Sequence, residues 1–265
     1  MSPEILKLIG VGDWPAFVLV SARVAGFFLA APLWSTVGLP KSIRSAAAVL
    51  LSVILIPTVI PVAPIPDDMV AAAVMLGGET LMGVAIALTG AMFMHGVMVA
   101  GEVASLQMGL SLGQAIGSLP EGATVGVGQL KGYFASLIYL SLGGHLTLYQ
   151  ALAASFAAVP PGKAMLGVEG GRLVADLAGS VFSSGIRAAA PVMVALLLAN
   201  LALAILGKAV PQLNVMMLAF PVTISIGMIA LGASLPFLAA FVGGQIDALP
   251  DLLGRTIGAF HPAGQ

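Results

Sequence analysis

The chain has 265 residues, of which 59% are hydrophobic and 8% charged, with a formal net charge of −1 and a mean hydropathy of +1.09. Soluble domains carry roughly 25% charged residues, so a soluble fold is excluded for want of polar surface. The balanced charge and the lack of a basic run exclude nucleic acid as a partner, and the absence of cysteine removes disulfides, thiolate catalysis and cysteine-ligated metals.

The N-terminal stretch places Glu4 and Asp13 ahead of the first apolar run and has no basic n-region, which predicts insertion through the chain's own spans rather than a cleaved signal peptide. That first run covers Trp14 to Pro32, with Trp14 as an interface anchor and Arg23 in its middle. A loop with Pro40, Lys41 and Arg44 follows. Residues 45–66 carry no charge, and at 1.5 Å per residue they make roughly 33 Å of helix, enough for a ~30 Å hydrocarbon core. Pro57, Pro61, Pro64 and Pro66 stop that helix. Asp67 and Asp68 cap the next, over Met69 to Ala100, which carries Glu79 and His95 and is long enough to tilt or to break at Gly77-Gly78.

The stretch from Gly101 to Gln129 differs from everything around it. Gly101, Ser105, Gly109, Gly113 and Gly117 recur every fourth residue, a small-residue stripe that lets helices approach closely in a membrane. Leu106, Met108, Leu110 and Leu112 alternate with Gln107, Gly109 and Ser111, a strand-like or irregular pattern. Each glycine costs a helix about 1 kcal/mol relative to alanine. A segment so composed is expected to be a mobile or close-packed element at the centre of a membrane assembly.

Residues 132–162 are again uncharged, with Gly143-Gly144-His145 inside, and end in a turn at Val159-Pro160-Pro161-Gly162-Lys163. A further span covers Leu173 to Leu206 and holds Arg187, Pro191 and Asn200. Lys208, Pro211, Gln212 and Asn214 break the chain before residues 209–246, an uncharged run interrupted by Pro221 and Pro236, and a short polar tail starts at Asp247. The fold expected is all-α and polytopic, about six apolar helical segments, some broken, in one unit without repeats. The positive-inside rule does not orient it. Lys41, Arg44, Lys131 and Lys208 fall on one side and Lys7, Lys163, Arg172 and Arg255 on the other, which suits helices buried in a larger complex.

Chemistry is sparse. Gly109-Leu110-Ser111-Leu112-Gly113 matches the G-x-S-x-G elbow, but no strand precedes it, and an intramembrane serine protease with His145 as base is the weaker reading. His95, His145 and His261 have no metal-ligand spacing. His145 is expected to bond a neighbouring helix carbonyl, with a proton relay as the alternative. Arg23, Glu79, Glu102 and Arg187 lie in or beside apolar runs and should face protein or water. They are either structural pairs between helices or subunits, or ion-coupling groups of a small-solute transporter, and the sequence supplies no pairing.

Several separated motifs add up across nearly the whole chain. They are Arg23, Gly26, Ala31-Pro32, Pro40 and Arg44, then Ala100-Gly101-Glu102 and Leu106-Gln107-Met108-Gly109-Leu110-Ser111. Gly143-Gly144-His145, Ser155-Phe156 with Pro160 and Gly162, and Pro211-Gln212-Leu213-Asn214 with Phe220-Pro221 complete the set. In this order they resemble the FliR family, a core subunit of the flagellar type III protein export gate, and through it the injectisome SctT family. The family commonly has an Asp-Pro after the GLSL segment where this chain has Leu119-Pro120-Glu121, and arginine where it has Lys208.

The resemblance implies a non-enzymatic subunit without cofactors. It would sit in the bacterial inner membrane, in the flagellar basal body, within a helical multi-subunit gate built with FliP and FliQ. It would work with FlhA and FlhB, and its cargo would be unfolded export substrates. Helices that look membrane-spanning would pack largely into the assembly, partly above the bilayer, with membrane lipid around it. A loop corresponding to Leu106–Gly122 would plug the channel, its apolar seal made by Leu106, Met108, Leu110, Leu112 and Ile116 and its softness by Gly109, Gly113 and Gly117, with Gln107 and Ser111 among them. Arg23, Arg44, Glu79, Glu102, His145, Arg187, Asn200, Lys208, Gln212 and Asn214 would be structural or intersubunit polar groups.

Overall fold

The computed structural model describes residues 14–32, 40–59, 62–110, 127–165, 168–210 and 215–260. All of the regular structure among them is helical. In chain order the helices are α1 (Trp14–Ala30), α2 (Lys41–Leu55, closed by a 3-10 turn over Ile56–Thr58), α3 (Met69–Gln107), α4 (Val127–Ser141) and α5 (Gly144–Ala158), then α6 (Val168–Ala209), α7 (Val215–Ala233) and α8 (Leu235–Gly258). The stretches Lys41–Thr58, Met69–Gln107, Ala175–Ala209 and Leu235–Gly258 are long and apolar enough to cross a membrane, and Trp14–Ala30 and Leu218–Ala233 are shorter apolar helices. The expected polytopic all-α class is what the chain adopts.

Boundaries differ from the expected ones for identifiable reasons. Lys41 and Arg44 lie in the first turn of α2 rather than in a loop, because Pro40 fixes the helix start. α3 does not break at Gly77-Gly78. Asp68 caps it through the N–H groups of Val70 and Ala71, and Gly78 is there because the carbonyl of Ala164 occupies the place of a Cβ. The same helix runs on to Gln107, so the four-residue period prevails over the strand-like alternation as far as that residue. The 132–162 run divides between α4, which starts already at Val127, and α5, parted where Gly143 takes φ 74°. The 209–246 run likewise divides, at Ser234, whose hydroxyl and N–H both bond the Leu231 carbonyl. The expected polar tail is the last turns of α8, with Leu249, Leu253 and Thr256 buried.

Two compact units make up the chain. The first comprises Met1–Met92, Leu142–Gly179 and Ile246–Gln265. In it α1 is buried through Leu19, Val20, Arg23, Val24, Phe27 and Phe28 and packs against both α2 and α3. Its contact with α3 is backbone to backbone. A Cβ on Gly26 would strike the Thr80 carbonyl, and one on Gly83 would strike the Arg23 carbonyl. This is close approach of the kind that small residues permit between membrane helices.

The second unit comprises Phe93–Ser141 and Ser180–Gln245. Its core gathers Ala104 and Met108 of α3 and its end, Val192 and Leu196 of α6, and Leu231 of α7. α3 and α6 meet at glycines: a Cβ on Gly96 would lie 3.0 Å from the Gly185 nitrogen.

Candidate functional site

The first unit is built around an ion pair. Arg23 of α1 and Glu79 of α3 are both 0% exposed, and the Arg23 Nε donates to Glu79 Oε2 at 2.7 Å. Two buried charges cost more to desolvate than their attraction returns unless their remaining donors and acceptors are also satisfied. Here they are. Arg23 Nη1 donates to the carbonyl and hydroxyl oxygens of Ser155 at 2.9 and 3.0 Å, and Nη2 to the carbonyl of Val159 at 2.9 Å. Glu79 Oε1 accepts the backbone N–H of Gly162 at 2.8 Å. The guanidinium carbon stands 4.3 Å from the centroid of the Phe156 ring, a cation–π contact.

The acceptors of Arg23 explain its type. Ser155 lies in the last turn of α5 and Val159 is its C-terminal capping residue. Carbonyls at a helix end carry partial negative charge; that of Ser155 takes the Val159 N–H at 2.9 Å and still has a lone pair for the guanidinium. A planar fork with several donors can serve two of them and a carboxylate together, which a lysine cannot. Beyond α5 the turn is tied from other sides. The Ala63 N–H donates to the Pro161 carbonyl at 3.0 Å, and Gly162, at φ 88°, packs against Ala63, Met75 and Leu19. The arrangement fixes the joint between α5 and α6. Among the described residues it holds no nucleophile beside a base, and both oxygens of the Glu79 carboxylate are hydrogen-bonded.

In the second unit the end of α3 is held by α7. Met108 is 0% exposed and its carbonyl accepts the Thr223 hydroxyl at 3.2 Å. Its side chain occupies the space that Gly227 leaves by lacking a Cβ. Gly109 follows at φ 78°, a conformation that residues with a Cβ resist, with the Phe220 ring against it.

The remaining residues singled out in the sequence are scattered. Leu106 is exposed, Gln107 and Leu110 are half-buried, and Ser111, Leu112, Gly113, Ile116 and Gly117 lie outside the described residues. Met108, expected in the seal, is packed into the unit's own core. Glu102 is exposed, its carboxylate against Gly128 of α4. Arg187, Asn200 and Lys208 are exposed on α6, Lys208 in its last turn, where a cation complements the helix end. Arg44 is half-buried. His145 is the second residue of α5, and its Nδ1 meets no hydrogen-bond partner among the described residues. Gln212 and Asn214 lie outside the described residues.

Three residues were not recognised from the sequence as polar contacts. Ser155 was noted only within a motif, Thr223 gives no signal in an apolar run, and Lys131, counted only as a charge on one side of the membrane, is 3% exposed in α4. Arg23 and Glu79 were flagged as charges in apolar runs, but their pairing comes from the structure.

The family model of bacterial export proteins, family 1, matches residues 14–249. The chain is similar to the flagellar biosynthetic protein FliR of Escherichia coli strain K12, at 27% identity over 256 residues, 97% of this chain and 96% of the relative. It is similar to FliR of Bacillus subtilis strain 168, at 30% over 223 residues, 82% and 85% of the two chains. The FliR of Aquifex aeolicus is 30% identical over 220 residues, 82% of this chain and 83% of the relative.

Proposed function

This chain belongs to the FliR family of bacterial export proteins, and from that premise we propose that it is a wall subunit of the flagellar export gate. It assembles with FliP-like and FliQ-like subunits around the channel, in contact with FlhA-like and FlhB-like proteins, in the inner membrane at the basal body. Unfolded flagellar proteins are the cargo, and the subunit does no covalent chemistry.

The observation that supports the assembly is a mismatch of length. At 1.5 Å per residue, α3 is roughly 58 Å long and α6 roughly 63 Å, about twice the ~30 Å hydrocarbon core. Both helices still expose large apolar side chains, Val70, Val74 and Val99 on α3 and Leu197, Leu201 and Ile205 on α6. Lipid cannot cover helices of that reach, whereas sister subunits can.

In this reading residues 106–122 plug the channel. Leu106 and Leu110 belong to the seal, and Met108 is its fixed root. Deleting 106–122 is the test. The variant assembles with its partners and leaks ions across the membrane. An assembled complex with wild-type leak sinks the gating role, and wild-type motility in a strain lacking the chain sinks the flagellar one.

A further inference from the structure

α2 differs from the two long helices in its reach. With its closing turn it covers Lys41–Thr58, 18 residues, which is roughly 27 Å and close to the ~30 Å hydrocarbon core. Within the helix only Ala48 and Ser52 are buried, and its main neighbour among the described elements is α1. Away from α1 it is open, with Val49 and Leu50 52% and 62% exposed. Where α3 and α6 are too long for lipid to cover, α2 has the length that lipid does cover.

A groove of about 470 Å³ runs along this open side, lined by Ser45, Ala46, Val49, Leu50 and Val53. It lies between two rows of side chains spaced four residues apart, the ridges that bound any groove on a helix surface. Its lining spans eight residue steps, about 12 Å, which fits within the ~15 Å depth of one leaflet. The lining is small at one end, Ser45 and Ala46, and aliphatic beyond.

The rows begin with charge. Lys41 is one turn before Ser45 in the first row, and it is exposed. Helical side chains lean toward the N-terminus, so Lys41 carries its ammonium past the end of the groove, toward the headgroup layer. Arg44 adds a second cation in the same turn, and that turn contains no acid. An apolar furrow one leaflet deep with positive charge at its mouth is complementary to a lipid whose headgroup is negative.

We propose that this groove is a binding site for an anionic phospholipid, with one acyl chain along Ser45–Val53 and the phosphate held by Lys41. The site rests on α2 meeting the bilayer and holds whether or not residues 106–122 gate the channel.

Photolabelling of the full chain tests it, in the complex that a tagged copy brings out of the membrane. The complex is placed in nanodiscs of equal parts phosphatidylglycerol and phosphatidylcholine, with a photoreactive acyl chain on one lipid or the other. Attachment within residues 45–53 is read by mass spectrometry. Phosphatidylglycerol labels this stretch about fivefold more than phosphatidylcholine, the preference that one lysine near an anionic headgroup supplies. Lys41→Gln brings the two lipids to equal labelling, and Lys41→Arg keeps the preference. Equal labelling of the wild-type chain overturns the proposal, since it shows bulk lipid only. Absence of labelling by either lipid overturns it as well, since a sister subunit then covers α2. A preference that survives Lys41→Gln also overturns it. If that variant does not accumulate, the wild-type ratio at low and at about 1 M salt decides, because salt screens an exposed charge. Loss of the preference at high salt supports the site, and an unchanged ratio overturns it.

Discussion

Arg23 and Glu79 lie 56 residues apart in the chain and meet at 2.7 Å, neither of them exposed. Three nitrogens and two oxygens of the pair all find partners, and the partners are chiefly backbone at the α5–α6 joint. The charges are thus a means of fixing a turn, and that distinguishes them from a pair whose value is its own attraction.

Breaking the pair from either side leaves an uncompensated buried charge, which costs about 3–5 kcal/mol. Glu79→Ala and Arg23→Ala should each lower the thermal stability of the purified assembly or remove the chain from the membrane. Exchange of the two charges, Arg23→Glu with Glu79→Arg, should not restore it, because the carboxylate would then face the carbonyls of Ser155 and Val159. Recovery in the exchanged variant would show that attraction alone is what matters.

Gly26→Ala and Gly83→Ala put a methyl group into the opposing backbone. Both should push α1 off α3 and destabilise the first unit. Gly77→Ala, where nothing lies within 4 Å, should instead stabilise α3 by up to about 1 kcal/mol through helix propensity. Thermal melts of the three variants in detergent check the contrast, which fails if all three shift in the same direction.

Gly227→Ala crowds Met108, whose Cγ would lie 2.7 Å from the new Cβ. Met108→Ala leaves a cavity at a site that is 0% exposed, at a cost of about 2–5 kcal/mol. The double variant should be more stable than the sum of the single losses predicts, since each change makes room for the other. Additive losses in a double-mutant cycle would mean that the two residues do not share that space.

Ser111→Ala should leave motility and secretion unchanged. The G-x-S-x-G match at Gly109 follows a helix that ends at Gln107, not a strand, so the strained elbow that makes such a serine nucleophilic has no support. Loss of secretion in this one variant, with the chain still present, would reopen the protease reading.

The helical membrane class was legible because long uncharged runs leave little alternative. Ends of helices inside those runs were not, since a turn at Gly143 or Ser234 changes the backbone without interrupting the apolar composition. Glycines misled in a specific way. Gly77-Gly78 resembles a helix breaker, yet α3 runs through it, and Gly78 serves to let the Ala164 carbonyl approach. Arg23 and Glu79 could be flagged as buried charges, but their pairing is a property of the packing of α1 on α3. Lys131 was counted only as a charge on one side of the membrane, because a single lysine between apolar runs ordinarily marks a surface. The acceptor that makes its burial tolerable is a carbonyl of α6, 57 residues away, and no side-chain pattern announces it.

The joint held by Arg23 has a consequence for synthesis. Its carbonyl acceptors come 132 and 136 residues after the arginine, so while that stretch is being made the guanidinium has Glu79 within the chain but not the carbonyls that complete its hydrogen bonding. A ribosome that stalls before Ser155 releases a fragment whose α1 and α3 carry a charged pair stripped of its closing turn. A buried pair without those partners costs more to desolvate than its attraction returns, so only the completed chain can bury both charges with a net gain.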